Sequence, residues 1–532
     1  MIDSHEPPPG TTTDTSLRSV RIEDLLCRLR ARLSRYSLIE SLWVIYCHIQ
    51  YLQFDKRVPE GIEMDPAVVA AVGYGRNYYE WELDLLSRAL LQYAPLAGRF
   101  SLTRWDEFAG TVNLLKDMDN EISGRMGELL RHNIFLELNR IAFRQFHWQE
   151  RPNSWLLIRY YKIFGAPALN EILEATIGLT ARELYFLGLA YTGHYLHSFD
   201  YPYPVDFSAF DITREKLGCF MRHFSKPLSE LVKMAPRTEL RNEDFAYSKN
   251  PLQIFPMVHV GVGGRHRVIA PIPTYLYRRF TAGVYYELTD NSGFGKAFGD
   301  AFQAYIGEVL NAALPSEHFT ILPEDEYFVG RNRKDTIDWI ASDETAHLFV
   351  ECKTKRMRWF SKIAMADRIT LDEDIAKIAD AVVQTYKTIE DAKAGHYPNW
   401  RPDVRPIYPV VVFLEDSYLF DPSLEKDIDD RIVGQLRAAG IDPVVKTTFP
   451  YSISSVADLE ILSQVVAQIG IAGVLSKKHE GERTKWNMRS FLLSDFQEHV
   501  AKLGKGGLFP DALKSIHPGI MIPDQELDEP RR

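Results

Sequence analysis

The sequence is poor in cysteine. Its 532 residues contain four, Cys27, Cys47, Cys219 and Cys352. They are widely separated and form no Cys-x-x-Cys pair, which excludes the dense disulfide framework of a small secreted protein. Scattered single cysteines are typical of reduced thiols, so we expect a cytoplasmic protein.

A long apolar run is also missing. The most apolar early stretch, SLWVIYCHIQYLQF, has 14 residues and contains a histidine and two glutamines, whereas about 20 apolar residues are needed to cross a bilayer. The first residues, MIDSHEPPPGTTTDTS, carry proline, threonine and acids where a signal peptide has basic residues and then an apolar segment. We therefore expect no membrane span and a disordered leader at residues 1–16.

The chain has no surplus of positive charge. It contains 62 Lys and Arg against 72 Asp and Glu, for a formal net charge of −10. This balance excludes a general attraction to polyanions, so any binding of nucleic acid must come from a local basic patch. With 45% hydrophobic and 25% charged residues, the composition is otherwise that of a globular protein.

What is present is a change of pattern along the chain. Apolar residues recur at helical spacing over residues 17–246, which predicts an all-α domain. MVHVGVGGRHRVIAPIP alternates branched residues around two glycines, which predicts a β-hairpin in a connector at residues 247–293. Helical and strand patterns then alternate over residues 294–475, and a C-terminal helix and tail follow at residues 476–532.

The region 294–475 predicts an α/β core. The order is helix FGKAFGDAFQAYIGEVLNAAL, a strand near YFVG, a hairpin, helix LDEDIAKIADAVVQTYKTIEDAKAG, strand YPVVVFLED and helix VADLEILSQVVAQIG. The apolar run in YPVVVFLED is typical of an internal strand covered on both faces. The fold class is therefore α+β or α/β, with a helical N-terminal domain before a mixed sheet flanked by helices.

The predicted hairpin, DTIDWIASDETAHLFVECKTKR at residues 335–356, carries acids among its apolar residues. A turn at residues 343–346 places Ser342 opposite His347, and the same antiparallel register places Asp338 opposite Glu351. Glu351 and Lys353 then share one face of the second strand. Facing like charges destabilise a strand pair, so a divalent cation between the two carboxylates is the expected compensation.

These residues resemble the PD-(D/E)xK nuclease superfamily, which has the restriction-endonuclease-like fold. The matching elements are Asp338 in TIDWI, the triplet Glu351-Cys352-Lys353, the preceding helix and the following helix with Gln384. ECK is the only Glu-x-Lys in the chain. The resemblance covers about residues 294–473. Family members often carry a glutamate on the first helix, where this chain has Gln303 after Phe302.

The resemblance implies a site that holds Mg²⁺ or Mn²⁺ and hydrolyses phosphodiester bonds. Asp338, Glu351 and the backbone carbonyl of Cys352 would bind the metal through oxygen, the ligand that Mg²⁺ prefers. Lys353 would act beside the attacking water, and Gln384 would orient the site or a phosphate. Gln303 belongs to the same candidate catalytic set, and whether Gln303 or Glu308 completes the metal site stays open.

Basic residues flank the hairpin on both sides and predict the nucleic-acid contact. They are Arg331, Arg333 and Lys334 before it, and Lys355, Arg356 and Arg358 with the stacking aromatic Trp359 after it. The alternative is a solvated strand end on which lysines discourage edge pairing.

The sequence therefore favours a magnesium-dependent nuclease, with DNA as the expected substrate. Its architecture resembles prokaryotic restriction or antiphage-defence effectors. The helical domain would sense a partner protein, recruit a target or hold a homo-oligomer together. Two alternatives stay open: a nuclease-fold protein that binds nucleic acid or assembles without cutting, and a hairpin whose three charges are merely solvated.

Overall fold

The computed structural model describes residues 12–70, 77–129, 141–142, 144–146, 148, 152–235, 245, 248–262, 265–354, 368–415, 422–503 and 507–517. Within these residues the protein is a mixed α/β structure with helices at its N-terminus, as predicted. No helix in this part of the chain is both long and apolar enough to cross a membrane.

Helices predominate before the first strand. Their bounds are α1 Thr12–Leu33, α2 Leu38–Phe54, α3 Pro66–Ala70, α4 Glu80–Tyr93, α5 Trp105–Leu129, α6 Ser154–Phe164, α7 Pro167–Ile177 and α8 Ala181–Tyr195. Residues 12–16, expected in the disordered leader, belong to α1, since threonine and aspartate are common at helix starts. Residues 1–11 of that leader lie outside the described residues.

A small sheet follows, in the order β1-β4-β3-β2. Its strands are β1 Asp200–Pro202, β2 Ser225–Pro227, β3 Met257–Val262 and β4 Arg265–Ile269. The predicted hairpin of β3 and β4 is confirmed, with Val262 opposite Arg265. The range expected to be all-α thus contributes two short strands, because β1 and β2 pair with backbone groups that the hairpin edges would otherwise leave open.

Further helices surround this small sheet and lead to the main sheet. They are α9 Arg214–Phe224, α10 Leu228–Met234, α11 Pro251–Ile254, α12 Pro273–Phe280, α13 Tyr285–Leu288 and α14 Phe294–Ala313, with 3₁₀ turns at Ser208–Phe210 and Ala282–Val284. The apolar face predicted for α14, including Phe298, Phe302 and Ile306, is buried.

The main sheet has the order β11-β10-β9-β8-β5. Its strands are β5 Thr320–Pro323, β8 Trp339–Ser342, β9 His347–Lys353, β10 Ile407–Phe413 and β11 Ser452–Ser455, and the separate pair between β5 and β8 is β6 Glu326–Val329 with β7 Asn332–Asp335. β9, β10 and β11 are parallel, whereas β5 and β8 run antiparallel to their neighbours. The sheet is therefore mixed.

The strand predicted near YFVG is confirmed as β6, but it pairs with β7 in a two-stranded sheet and not with the main sheet. The main sheet instead uses β5, a short segment ending in proline that carries little strand signal. Phe328 of β6 is 62% exposed, which is compatible with a strand in the two-stranded sheet outside the main sheet.

Helices cover both faces of the main sheet. Leu348, Val350, Val410 and Val412 pack in one hydrophobic core with α14 and with α18 Val456–Ile469. The opposite face packs in a second core with α15 Arg368–Lys393 and α16 Pro422–Ala438, through β-strand residues that include Phe349, Val411 and Phe413. All seven residues of β10 are buried, which confirms the prediction of an internal strand.

The described C-terminal residues pack against the first of these cores. The remaining helices are α17 Val445–Thr448, α19 Ile471–Lys478, α20 Met488–Asp495 and α21 Gln497–Val500, with 3₁₀ turns at Gly481–Lys485 and Ala512–Ser515. Phe491, Leu492, Leu513 and Ile516 are buried in that core, so the described residues 488–503 and 507–516 belong to the folded structure.

The same core extends back to the N-terminal helices. Glu460 on α18 accepts two hydrogen bonds of 2.7 Å from the guanidinium of Arg159 on α6, and a third of 2.7 Å from the hydroxyl of Tyr305 on α14. The apolar residues of α6, α7 and α8 also pack in this core. The domain boundaries at residues 246 and 294 stay predictions, and hydrophobic packing continues across both.

Candidate active site

The hairpin that carries the candidate residues folds as predicted. β8 and β9 are antiparallel with Ser342 opposite His347 and Trp339 opposite Val350. The turn is held by Asp343, whose Oδ1 accepts hydrogen bonds of 2.8 Å from the backbone N–H groups of Thr345 and Ala346. A carboxylate that caps its own turn fixes the register, and with it the position of the acids.

Glu351 and Lys353 lie side by side near the end of β9. The Nζ of Lys353 donates hydrogen bonds to Glu351 Oε1 at 2.6 Å and to Gln384 Oε1 at 3.2 Å. Gln384 is on α15, which covers this face of the sheet. The structure therefore brings three of the predicted residues together, two from one strand and one from the following helix.

Glu351 is buried, with 4% of its surface exposed. The hypothesis of a solvated hairpin face with three exposed charges is therefore wrong. The alternation in the sequence correctly places Leu348 and Val350 in a core, but the opposite parity is buried as well, because α15 packs over it. Burial without full compensation raises the pKa of Glu351, which the neighbouring Lys353 ammonium partly offsets.

The sequence predicted that Asp338 lies on the first strand of the hairpin. In the structure Asp338 directly precedes that strand, β8, and does not belong to it. Its Oδ2 accepts a hydrogen bond of 2.5 Å from the backbone N–H of Cys352, so a side chain replaces the backbone acceptor at this point of the ladder. Burial, and next the negative charge of Glu351, raise the pKa of Asp338 to about 7. The two carboxylates therefore interact, as the predicted register required.

A third acid, which the sequence did not reveal, lies beside this pair. Continuing the register of β5 and β8 by one residue places Glu324 opposite Asp338, which in turn falls opposite Glu351. The charge of Glu324 raises the pKa of both acids. In the sequence Glu324 is one of three acids in PEDEY after a short strand, so nothing distinguishes it from surface acids.

The first helix of the core approaches through Gln303. Its Nε2 donates a hydrogen bond of 2.9 Å to Glu324 Oε2, and its backbone carbonyl accepts one of 2.9 Å from the indole of Trp339. Glu308, the other open choice on α14, is paired with Lys162 at 2.6 Å. Glu324, Asp338 and Glu351 form an acid row across three neighbouring segments, and Gln303 is the one of these two α14 residues that contacts it.

The donor set suits a hard divalent cation. Asp338 and Glu351 offer carboxylate oxygens in a partly desolvated position where negative charge is costly, and Mg²⁺ commonly takes one or two carboxylates and keeps several waters. Within the described ranges, no group of three or more His, Cys, Asp or Glu side chains is arranged to hold a metal. The candidate metal site has only two side-chain ligands, Asp338 and Glu351, and its third protein ligand is the backbone carbonyl of Cys352, so it is not a group of that kind.

The predicted basic patch is only partly visible. Lys355, Arg356, Arg358 and Trp359 lie outside the described residues. Arg331 is exposed at the turn between β6 and β7. Arg333 is paired with Glu326 and Lys334 with Asp391, so both have acid partners.

Comparisons with known proteins add no match. No family model, no curated protein and no solved structure matches the chain.

Proposed function

We propose that the protein is a metal-dependent nuclease that uses Mg²⁺ or Mn²⁺ to hydrolyse phosphodiester bonds, with DNA as the favoured substrate. One observation carries the proposal: buried Glu351, Asp338, Lys353 and Gln384 converge where β9, the central strand of the main sheet, ends. A restriction-endonuclease-like core and a role in prokaryotic defence belong to the same proposal, and both rest on the sequence resemblance.

Each residue has a role that its contacts support. Asp338 and Glu351 would hold the cation, whose charge would offset the burial and the repulsion from Glu351 that raise the pKa of Asp338. Bound Mg²⁺ would supply Lewis acidity toward the phosphate and a more acidic water. Lys353, held by Glu351 and Gln384, keeps an ammonium at the rim of the site, where it can stabilise negative charge on the phosphate.

Glu324 and Gln303 would complete the site from the β5 side. Glu324 is exposed and accepts a hydrogen bond from Gln303, so its carboxylate is oriented without being buried. Glu324 would substitute for the acid that the resembling family commonly carries on the first helix, where this chain has Gln303. We expect Glu324→Gln to weaken metal binding less than Asp338→Asn, because solvent screens the charge of the exposed Glu324 more than that of Asp338.

The test is nicking of a supercoiled plasmid with Mg²⁺, with Mn²⁺ and with a chelator, alongside single-stranded DNA and RNA. We expect metal-dependent cutting that falls by about 100-fold or more in Lys353→Met, the scale for loss of one charge-stabilising donor. The matched control is Lys387→Met, which changes an exposed lysine on α15. Cutting that persists in Lys353→Met, or that ignores metal, would refute the assigned roles.

The second candidate function is a nuclease-fold protein that binds without cutting. Gln303, an amide on the first helix in place of an acid, favours it. DNA that is retained in a gel-shift assay but never cut with either metal would support this alternative over the enzyme.

A further inference from the structure

An open cavity of about 520 Å³ lies where the end of α9, β2 and the hairpin of β3 and β4 meet. Its volume is within the range of small-molecule sites, about 300–1,000 Å³. It shares no residue with the candidate active site. Its lining consists of Gly218, Met221, Arg222, Ser225, Lys226, Pro227, His259, Val260, Gly261 and His266.

A directed chain of hydrogen bonds forms one wall of this cavity. Ser225 Oγ donates to the backbone carbonyl of Met221 at 2.5 Å, and the same Oγ lies 2.8 Å from His259 Nε2. The hydroxyl proton is thereby used, so His259 must donate from Nε2. His259 Nδ1, 3.0 Å from His266 Nε2, is then the acceptor for His266. Burial, with His266 beside it, lowers the pKa of His259 to about 4, which keeps this neutral tautomer near neutral pH.

This direction excludes a serine nucleophile. A hydrolytic Ser–His pair needs a histidine that accepts the hydroxyl proton. Here His259 donates to Ser225, and the hydroxyl points to the carbonyl of Met221 at the end of α9. The hydrogen-bonded series of Ser225, His259 and His266 is therefore a structural part of the cavity lining.

The charge of the lining has one sign. Arg222 and Lys226 are the charged residues of the lining and no acid lines the cavity, although the whole chain carries a net charge of −10. Arg222 is exposed and makes no hydrogen bond or ion pair within the described part of the chain. Lys226 lies 3.7 Å from Glu230, a partly exposed pair of the kind that contributes little. The Lys226 ammonium also lies 5.0 Å from the centre of the Phe255 ring, so Arg222 is the more available of the two cations for an anion.

The rest of the lining is apolar or backbone. Met221, Pro227, Val260 and two glycines offer no charged group. Apolar residues with a few polar groups among them are the usual lining of a cofactor or small-ligand site. We propose that this cavity binds a nucleoside phosphate, with its phosphate on Arg222 and Lys226 and its base against Met221, Pro227 and Val260.

The experiment is calorimetric titration of the full chain with AMP, ADP, inorganic phosphate and, as the uncharged probe, adenosine. We expect AMP and ADP to bind, phosphate to bind more weakly and adenosine not to bind measurably. Arg222→Ala should weaken AMP binding by about tenfold or more, since it removes a charge-assisted contact. Arg214→Ala, which removes an exposed arginine from the same helix, should leave binding within about twofold.

Lys226→Ala is the second variant, because it removes the other cation proposed to hold the phosphate and leaves Arg222 in place. It should also weaken AMP binding. Lys353→Met should bind AMP as the unchanged protein does, which separates this cavity from the proposed nuclease site. Absence of binding by AMP, ADP and phosphate at millimolar concentration would overturn the proposal. Equal binding by adenosine, or AMP binding that Arg222→Ala does not change, would also overturn it.

Discussion

Asp338→Asn tests the electrostatics of the candidate site directly. The substitution removes one of the interacting charges and keeps an oxygen that can accept the hydrogen bond from the Cys352 N–H. The folded protein holds Asp338 where burial and Glu351 raise its pKa to about 7. An isolated aspartate has a pKa of about 3.9. Folding therefore makes this carboxyl group harder to ionise.

The sign of the pH dependence follows from this raised pKa. Between pH 3.9 and 7 the folded state binds the proton more tightly than the unfolded state, so the stabilisation from Asp338 is complete at low pH and is lost as the pH rises through 7. The rise of the Asp338 pKa from about 3.9 to about 7 corresponds to a loss of folding stability of roughly 4 kcal/mol, at 1.36 kcal/mol per pKa unit. Because solvent reaches part of the carboxyl group, we expect a cost to folding of about 2 kcal/mol at pH 8.

The assay compares the thermal midpoints of Asp338→Asn and the unchanged protein, without metal, from pH 5 to pH 8.5. The variant should be more stable at pH 8 by about 2 kcal/mol, or a few °C, and the difference should shrink toward pH 5. Asp335→Asn, which removes an exposed acid from β7, is the matched control and should show no such trend. Saturating Mg²⁺ should raise the midpoint of the unchanged protein and not that of Asp338→Asn.

Two results would refute this reasoning. A stability difference that is constant over the pH range would mean that Asp338 is not held in a costly ionised form. A metal-free loss of more than about 1 kcal/mol in Asp338→Asn at pH 8 would mean that the carboxylate belongs to a structural network, since its removal would then leave a partner unsatisfied.

Three further predictions concern stability. Glu460→Gln should cost about 3–5 kcal/mol in thermal or urea unfolding, because it leaves the buried guanidinium of Arg159 without its counter-ion. Gly307→Ala should cost about 1–3 kcal/mol by the same measurement, since a Cβ there would lie 2.0 Å from the Trp339 ring. Burial lowers the pKa of His48 to about 3, so the stability that neutral His48 contributes is complete above about pH 6.5 and is lost as the pH falls toward 3. His48→Phe should therefore make the thermal midpoint depend less on pH over this range.

The hairpin of the candidate site was predictable because its signals are local. A turn at residues 343–346 and a period of two in the flanking residues determine which side chains face each other, and the structure has the same register. The apolar face of α14 and the internal strand β10 were equally readable, since each is a continuous pattern within one element.

What the sequence could not predict depends on contacts between distant segments. β5 is four residues long and ends in proline, and only its pairing with β8 makes it a strand of the main sheet. Glu324 joins the acid row through that pairing, so its position could not be read before β5 was known. The burial of Glu351 likewise depends on α15, which packs over the face that the alternation alone would leave to solvent.

The placement of these acids is an argument about function in its own right. A core that needed only stability would put apolar residues at positions 338 and 351, because buried carboxylates that repel each other reduce the stability of the fold. Lys353 compensates Glu351, and Asp338 keeps a raised pKa. Perturbed groups of this kind cluster where proteins bind ions or perform chemistry. A divalent cation would remove the remaining repulsion, so the stability that is absent from the metal-free site is available as binding free energy for the metal.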